Sequence, residues 1–268
     1  MTVVRHAAVA GQFYPADAER LAAGVRALID DAGAPQGPAP KALIVPHAGY
    51  QYSGTVAAVA YARLRAHRER YRRVALLGPC HYVGVRGLAF SGADVFRTPL
   101  GDVPLSRPPA VALQHPATSL TEATHGPEHS LEVQLPFLQS VLDDFVLTPI
   151  VVGQTPAASV ADVLEQLWDG PETLIVVSTD LSHYQDYAHA REHDSATCAA
   201  IEELAPERIS SDDACGAFAL NGLLTLARRK RLEVRTLDLR NSGDTAGSRE
   251  RVVGYGAWML IEPAEDKA

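Results

Sequence analysis

The sequence lacks the features that mark membrane-spanning, secreted and nucleic-acid-binding chains. No run among its 268 residues reaches the roughly 18 apolar residues that a membrane-spanning helix needs. The first residues do not join a basic segment to an apolar one, so no secretory signal is predicted. The formal net charge is -8, whereas nucleic acids and anionic membranes favour cationic partners. We therefore expect a cytoplasmic protein that binds neither nucleic acid nor membrane.

Cysteine is scarce, and the three cysteines argue against a disulfide framework. Cys80, Cys198 and Cys215 are an odd number, and disulfide-rich domains are usually short and secreted. Each thiol is therefore interpreted as a core residue, a metal ligand or a reactive group. Histidine is abundant by comparison, with ten residues. The histidines are therefore the first candidates for functional residues.

Two common functional motifs are also missing. No glycine-rich phosphate loop of the P-loop or dinucleotide type opens a helix. No G-x-S-x-G motif is present, which disfavours an ordinary serine hydrolase. No repeat divides the chain, and the loose Pro/Gly/Ala stretch at residues 33–40 lies too near the start to separate two domains. We expect a single domain over residues 1–268.

Short apolar runs alternate with amphipathic segments along the chain. Four runs predict buried strands, at residues 42–45, 74–77, 145–152 and 173–177. Helices are predicted over residues 17–31, from near 53, and over 157–168, 187–204 and 213–229. Strands near 232–237 and 252–261 are expected to add antiparallel edges. This order predicts an α/β fold with a mainly parallel central sheet flanked by helices.

Histidine or aspartate follows three of these strands directly. His47 follows the first predicted strand, His81 the second, and Asp180 with His183 the fourth. Because the carboxyl ends of parallel strands lie at one edge of a sheet, these side chains are expected to converge on one cleft. A single histidine after a strand is more often a hydrogen-bonding loop residue. Three such loops together favour a shared metal or catalytic site.

Two further segments allow a functional and a structural interpretation. Cys215 is predicted just inside the start of the 213–229 helix, where the helix dipole lowers a thiol pKa and favours a thiolate. The alternative is a small core residue at a helix start. Glu128 and His129 precede an amphipathic helix. They are either an acid–base or substrate-orienting pair in the cleft or part of a helix cap.

Seven short motifs in a fixed order make the chain resemble one known family. They are A-V-A-G-Q-F-Y-P from residue 8, P-H-A-G-Y from 46, G-P-C-H from 78, F-R-T-P-L from 96, E-H-S from 128, S-T-D-L-S-H from 178 and C-G from 215. This set is similar to that of the MEMO family, whose bacterial and archaeal members are also called AmmeMemoRadiSam system protein B. The resemblance extends over residues 5–262, nearly the whole chain.

The resemblance implies a fold similar to the LigB-type class III extradiol dioxygenases, with a non-haem iron cleft. The family's metal-binding positions fall on His47, His81 and Cys215. Beside them lie the candidate catalytic residues His183, Asp180, Glu128 and His129. Extradiol enzymes use two histidines and a glutamate, and here a soft cysteine replaces the hard carboxylate. Fe(II) is the expected metal, with Cu or Zn as alternatives, and ring cleavage does not follow from the fold alone.

The aromatic residues Phe13, Tyr50 and Tyr52 are expected to line the cleft and bind a planar ligand, although core packing is the alternative for Phe13. In eukaryotic relatives the cleft is described as binding metal and phosphotyrosine peptides. Family members are often encoded beside AMMECR-type and radical-SAM proteins, which would then be pathway partners.

The leading hypothesis is a metal-dependent redox enzyme that acts on a small aromatic or peptide-borne substrate, with His183 as the acid–base residue. One alternative is a binding module that uses the same cleft to hold a peptide or a phosphorylated side chain without turnover. Another is a transferase that uses a low-pKa Cys215 thiol as its nucleophile.

Overall fold

The centre of the molecule is a sheet whose four middle strands run parallel. The computed structural model describes residues 2–33 and 37–263. Its strands are β1 Val4–Arg5, β2 Ala42–Val45, β3 Arg73–Pro79, β4 Leu88–Phe90, β5 Val95–Thr98, β6 Gly101–Pro104, β7 Thr118–Leu120, β8 Val146–Val152, β9 Thr173–Ser178, β10 His183–Gln185, β11 Glu233–Asn241 and β12 Val252–Ile261. Its helices are α1 Ala18–Asp31, α2 Tyr50–Ala62, α3 Ala110–Leu113, α4 Glu122–His125, α5 Leu135–Val141, α6 Ala157–Gln166, α7 Tyr187–Glu202 and α8 Ala217–Lys230. Short 3-10 helices lie at Arg65–His67, Glu132–Gln134, Pro206–Arg208 and Ser242–Asp244.

The strand order confirms the predicted architecture. Across the described residues the main sheet runs β10-β12-β2-β9-β3-β8-β4-β7, and β11 pairs with β12. Strands β2, β9, β3 and β8 are parallel neighbours, whereas β12 and β11 add antiparallel pairs on one side. A separate small sheet joins β1, β5 and β6. The chain therefore has the mixed α/β fold that its alternation of apolar and amphipathic segments predicts.

The central strands are uninterrupted runs of apolar residues because helices cover both faces of the sheet. Leu43 and Val45 of β2 face one core, which α1, α2 and α5 complete. Ala42 and Ile44 face the opposite core, which α6, α7 and α8 complete. A strand buried on both faces needs no polar residue at alternate positions. Among the described residues, no helix combines the length and apolar composition that crossing a bilayer requires.

The observed helix boundaries agree with the predicted ones at some positions and differ from them at others. Asp17 caps α1, since its side chain accepts a hydrogen bond of 2.9 Å from the Arg20 N–H. The predicted start of the last helix was wrong, because α8 begins at Ala217 with Gly216 as its N-cap. Cys215 therefore precedes the helix and does not lie inside it. Strands β4 to β7, between the second and third predicted strands, were not predicted.

Candidate metal centre and ligand cavity

Three loops that leave the carboxyl edge of the sheet bring polar side chains together. His47 follows β2, His81 follows β3 and Asp180 follows β9, and β9 lies between the other two strands. The imidazole centroids of His47 and His81 are 5.1 Å apart. The His47 N–H donates to Oδ1 of Asp180 at 2.7 Å. The convergence that the parallel sheet predicts is therefore present.

A third histidine completes the cluster. Ligand nitrogens of His47, His81 and His129 all lie within 4.8 Å of one another. His129 comes from the loop before the Glu132–Gln134 turn, and its ring centroid is 4.6 Å from that of His81. From its sequence context, His129 is expected to be an acid–base or substrate-orienting residue. The structure brings it into the group that could hold a metal ion, and Cys215 is not a member of that group.

The hydrogen bonds of Ser178 determine which nitrogen of His47 faces the cluster. The Ser178 hydroxyl donates its one hydrogen to the Ser130 carbonyl at 2.7 Å and accepts from the Gln134 amide at 2.8 Å. Nδ1 of His47 lies 2.9 Å from the same hydroxyl oxygen, so Nδ1 carries the hydrogen and donates it. Nε2 therefore carries the lone pair, which faces Sγ of Cys215 at 3.3 Å. Burial and the neighbouring imidazoles hold the pKa of His47 well below its usual 6.5.

Glu128 orients His81 in a similar way. Its Oε1 lies 2.9 Å from Nδ1 of His81, and its Oε2 accepts the His81 backbone N–H at 2.6 Å. Burial acts to raise the pKa of Glu128, but the hydrogen bonds from His81 outweigh it and lower that pKa to about 2. An ionised carboxylate only accepts, so His81 donates from Nδ1 and its Nε2 is free. Carboxylates orient metal-binding histidines in this manner.

His129 supplies the observation that most favours a bound cation. Its Nδ1 is buried and makes no hydrogen bond in the described part of the chain. Burial lowers the pKa of His129 to about 4, so the ring is neutral at physiological pH. Buried polar atoms are normally satisfied. Three imidazoles, two with Nδ1 held by a hydrogen bond and one with a buried Nδ1 that makes none, are a donor set that fits Zn, Cu or Fe.

Cys215 lies beside the cluster and its thiol is protonated. Sγ of Cys215 is 3.3 Å from Nε2 of His47 and accepts the Asp180 N–H at 3.3 Å. Burial, with the nearby Asp180 carboxylate, raises the pKa of Cys215 to about 12. The expected lowering by a helix N-terminus was wrong, because desolvation dominates and the residue precedes the helix. In the metal-free chain Cys215 is therefore not a low-pKa nucleophile.

Two glycines allow these loops to approach one another. A side-chain carbon at Gly78 would lie 2.7 Å from Oγ of Ser130, and one at Gly216 would lie 2.7 Å from Cβ of Thr179. Real carbon atoms do not approach that closely. Glycine in the G-P-C-H motif thus lets the Glu128 loop reach His81, and glycine in the C-G motif lets Cys215 reach the end of β9.

A cavity of about 640 Å³ opens beside the histidines. Phe13, Tyr52, Asp180 and His183 line it as predicted, and Phe13 packs on His129 with ring centroids 4.6 Å apart. Tyr50 is not among the lining residues. Its hydroxyl donates to the Val133 carbonyl at 2.6 Å, and its ring packs against Phe137 in the core.

The far wall of the cavity was not predicted from the sequence. Its residues come from β10, from the segment between β11 and β12, and from β12; they are Tyr184, Ser242, Gly247, Ser248, Arg251, Val253 and Tyr255. Only Tyr184 carried a local signal, since it follows His183 directly. The others lie far along the chain from the histidine motifs. Their position depends on β12 pairing with β2.

The family is shown by comparison of the whole chain with known proteins. The sequence profile described as "Memo-like protein" matches residues 5–259. The chain belongs to the Memo-like family. A "MEMO1 family protein" of Aquifex aeolicus is 35% identical over 270 residues, which cover 96% of this chain and 99% of the relative. Another from Aeropyrum pernix is 36% identical and covers 95% of this chain and 98% of the relative.

A solved structure shares the fold of this Memo-like chain. It is an uncharacterized protein, JW3007, from Escherichia coli K12, with a TM-score of 0.52 and 15% sequence identity. The match covers 80% of this chain and 98% of that chain. At this level of identity the likeness concerns the fold alone. It agrees with the mixed α/β architecture described above.

Proposed function

We propose that this Memo-like protein binds a metal ion through His47, His81 and His129 and carries out redox chemistry on a ligand in the adjoining cavity. The observation that carries the proposal is the buried Nδ1 of His129, which makes no hydrogen bond in the described part of the chain, beside His47 and His81, whose Nδ1 atoms are held by Ser178 and Glu128. The ligand is a small aromatic molecule or an aromatic side chain of a peptide. Phe13 and Tyr52 offer flat apolar surfaces for such a ring.

A redox-active ion at this place would supply electron transfer and polarisation of a bound oxygen atom. Fe(II) is the metal we propose, and Cu is the redox-active alternative; imidazole suits Zn as well, but Zn would supply Lewis-acid chemistry only. The chain contributes proton chemistry beside it. Burial raises the pKa of Asp180 to about 7, against the lowering effect of the His47 N–H, so this carboxyl exchanges a proton near neutrality. His183, exposed on the same cavity, is the proposed partner in acid–base steps.

Metal analysis of the full chain, purified without oxygen, tests the proposal. We expect about one metal ion per chain in the wild type and a loss of most of it in His47→Ala, His81→Ala and His129→Ala. Cys215→Ser is expected to retain more metal than any of these three. His189→Ala is the matched control, because His189 is exposed and binds Asp186 away from the cavity.

Two results would overturn the assignment. Unchanged metal content in the three histidine variants would exclude this metal centre. A loss in Cys215→Ser that equals the loss in His47→Ala, with His129→Ala unchanged, would instead favour His47, His81 and Cys215 as the ligands.

The second candidate function is a binding module without turnover. The exposed Tyr82 and Tyr184 favour it, because large exposed aromatic residues are typical of binding surfaces. Peptide binding that persists in the metal-stripped protein, together with no oxygen consumption under any reductant, would favour this candidate over the redox enzyme.

A further inference from the structure

A buried amide group joins three distant segments of the chain. Gln134, the last residue of the short helix Glu132–Gln134, is 1% exposed. Its Nε2 donates to the Pro46 carbonyl at 2.9 Å and to the Ser178 hydroxyl at 2.8 Å. Its Oε1 accepts a hydrogen bond of 3.0 Å from the Tyr61 hydroxyl. Both amide hydrogens are therefore used, and the amide connects the ends of β2 and β9 with α2.

Only one orientation of the Gln134 amide satisfies its neighbours. A carbonyl oxygen only accepts, so the group that faces Pro46 must be Nε2. The reversed amide would place Oε1 beside the Pro46 oxygen with no hydrogen between them. Tyr61 holds the other side in place, because its ring is fully buried and stacks on Phe137 with centroids 5.0 Å apart. The surrounding fold thus fixes the direction of the two donated hydrogen bonds.

The two acceptors of Gln134 are the groups that place His47. Pro46 directly precedes His47 in the chain. The Ser178 hydroxyl holds Nδ1 of the His47 ring at 2.9 Å. The amide therefore bonds both to the backbone before His47 and to the group that orients its imidazole.

The same contacts link His47 to His129. Ser178 donates its hydrogen to the carbonyl of Ser130, which follows His129 directly. The imidazole centroids of His47 and His129 are 5.5 Å apart, with their ring planes at 88°. Gln134 belongs to the segment that carries His129 and bonds to the segment that carries His47. Metal affinity depends on ligands that are held in position before the ion binds.

We propose that Gln134 is a positioning residue of the metal centre, whose two donated hydrogen bonds fix the place and ring orientation of His47 relative to His129. Its amide hydrogens bond Pro46 and Ser178, so it acts through these residues and is not a ligand. This inference rests on the proposed function, because it concerns the same histidine cluster. It adds a residue outside that cluster whose replacement should weaken metal binding.

Co(II) titration of the full chain tests the effect on metal binding. Co(II) follows Fe(II) in the series of divalent metals, and its absorption spectrum depends on ligand geometry. Gln134→Met keeps a side chain of similar length that donates no hydrogen bond. We expect its Co(II) affinity to fall about 10-fold or more, with a changed spectrum. Tyr61→Phe keeps both donated bonds but leaves the amide oxygen without its partner, and we expect a smaller loss of about 3-fold.

Nitrogen NMR of the isotope-labelled, metal-free chain gives a readout that requires no ion. The His47 signals are identified by their loss in His47→Ala. In the wild type we expect one set of His47 ring signals with Nδ1 protonated. In Gln134→Met these signals should split or broaden, because the hydroxyl and the backbone that hold the ring are no longer fixed. His81 is bonded to Glu128 and is the internal control, with unchanged signals expected.

Tyr50→Phe is the matched control. The Tyr50 hydroxyl donates to the Val133 carbonyl at 2.6 Å, so this variant also loses a hydrogen bond between the same two segments. It leaves the bonds to Pro46 and Ser178 in place. We expect its Co(II) affinity and its His47 signals to match those of the wild type.

Three results would overturn the positioning role: wild-type Co(II) affinity in Gln134→Met, an equal loss in Tyr50→Phe, or changes in the His81 signals as large as those of His47. If Gln134→Met does not fold, the same comparisons with Tyr61→Phe decide. A wild type that binds no Co(II) would instead end the metal function. Gln134 would then remain the residue that positions His47 only if the His47 signals change in Gln134→Met and not in Tyr50→Phe.

Discussion

Two buried glutamates four residues apart serve different regions of this Memo-like protein. Glu132 accepts hydrogen bonds from Arg5, from the Tyr14 hydroxyl at 2.5 Å, and from the backbone N–H groups of Ala8 at 2.7 Å and Val9 at 3.0 Å. Glu128 accepts from His81 and from the Ser130 N–H at 2.8 Å. Both carboxylates are therefore satisfied, but their partners differ in chemistry.

The difference shows which region stabilises the fold and which is suited to binding. The partners of Glu132 are a permanently charged arginine, a phenol and two amides, which hold the N-terminal segment that leads to Phe13. Besides backbone N–H groups, Glu128 binds the imidazole of His81. Next to it, Nδ1 of His129 makes no hydrogen bond among the described residues and lies 3.5 Å from Oε1 of Glu128. A fully satisfied network contributes rigidity, whereas an incomplete one has capacity for a ligand.

Removing the Glu132 carboxylate should have the largest effect. Glu132→Ala leaves the Arg5 charge buried without its partner, and we expect the free energy of unfolding to fall by about 3 to 5 kcal/mol. Chemical denaturation measures this change in the free energy of unfolding. Glu165→Ala is the control, because Glu165 pairs with Arg229 and Lys230 on an exposed face. A fall in Glu132→Ala no greater than in Glu165→Ala would show that the Glu132 network does not stabilise the fold.

Acid should weaken the histidine region of the metal-free protein. His129 has a pKa of about 4 in the folded chain and near 6.5 when unfolded, so the unfolded chain takes up a proton first as the pH falls. Its contribution to stability is complete above pH 6.5 and is lost as the pH falls toward 4, by up to about 3 kcal/mol. The free energy of unfolding, measured from pH 7 to pH 4, should therefore fall less steeply in His129→Gln than in the wild type.

The exposed His6 provides the control for this titration. His6→Gln is the same substitution at an exposed position outside the histidine cluster. An unchanged acid profile in His129→Gln would mean that the buried ring is not held neutral, which would weaken its assignment as a metal-binding group.

Neutralising Glu128 should affect metal binding more than stability. Glu128→Gln is expected to lower metal affinity by about 10- to 100-fold, because His81 loses the carboxylate that orients it. A metal-competition titration with a chelator measures this. Glu122→Gln removes a carboxylate that bonds Ser91 and is the control, with unchanged affinity expected. Equal affinity in both variants would contradict the orienting role of Glu128.

Relieving the backbone at Tyr184 should have the smallest effect; this residue of β10 has no partner in β12, and its φ is 60°. Tyr184→Gly removes the unfavourable positive φ and should raise the free energy of unfolding by about 1 kcal/mol or less. Tyr82→Gly is the control, because Tyr82 is exposed without a positive φ. A loss of stability in Tyr184→Gly would mean that the tyrosine is kept for packing.

Much of the candidate site was predictable because its residues lie directly after apolar strands. His47, His81 and Asp180 each follow a strand, and a parallel sheet places the ends of such strands at one edge. His129 was harder to assign, since a helix cap and a cleft residue look alike in the sequence. Arg251 gave no signal, because it is 204 positions from His47 and no local motif marks it.

The sequence by itself determined the alternation of strands and helices, the family and the convergence of the post-strand loops. These depend on local apolar patterns and on short motifs, which one segment can carry alone. Only the tertiary structure decided that His129 joins His47 and His81, that Cys215 is a buried neutral thiol, and that Arg251 faces the same cavity. The physical reason is that burial, hydrogen-bond partners and strand register depend on contacts between distant segments.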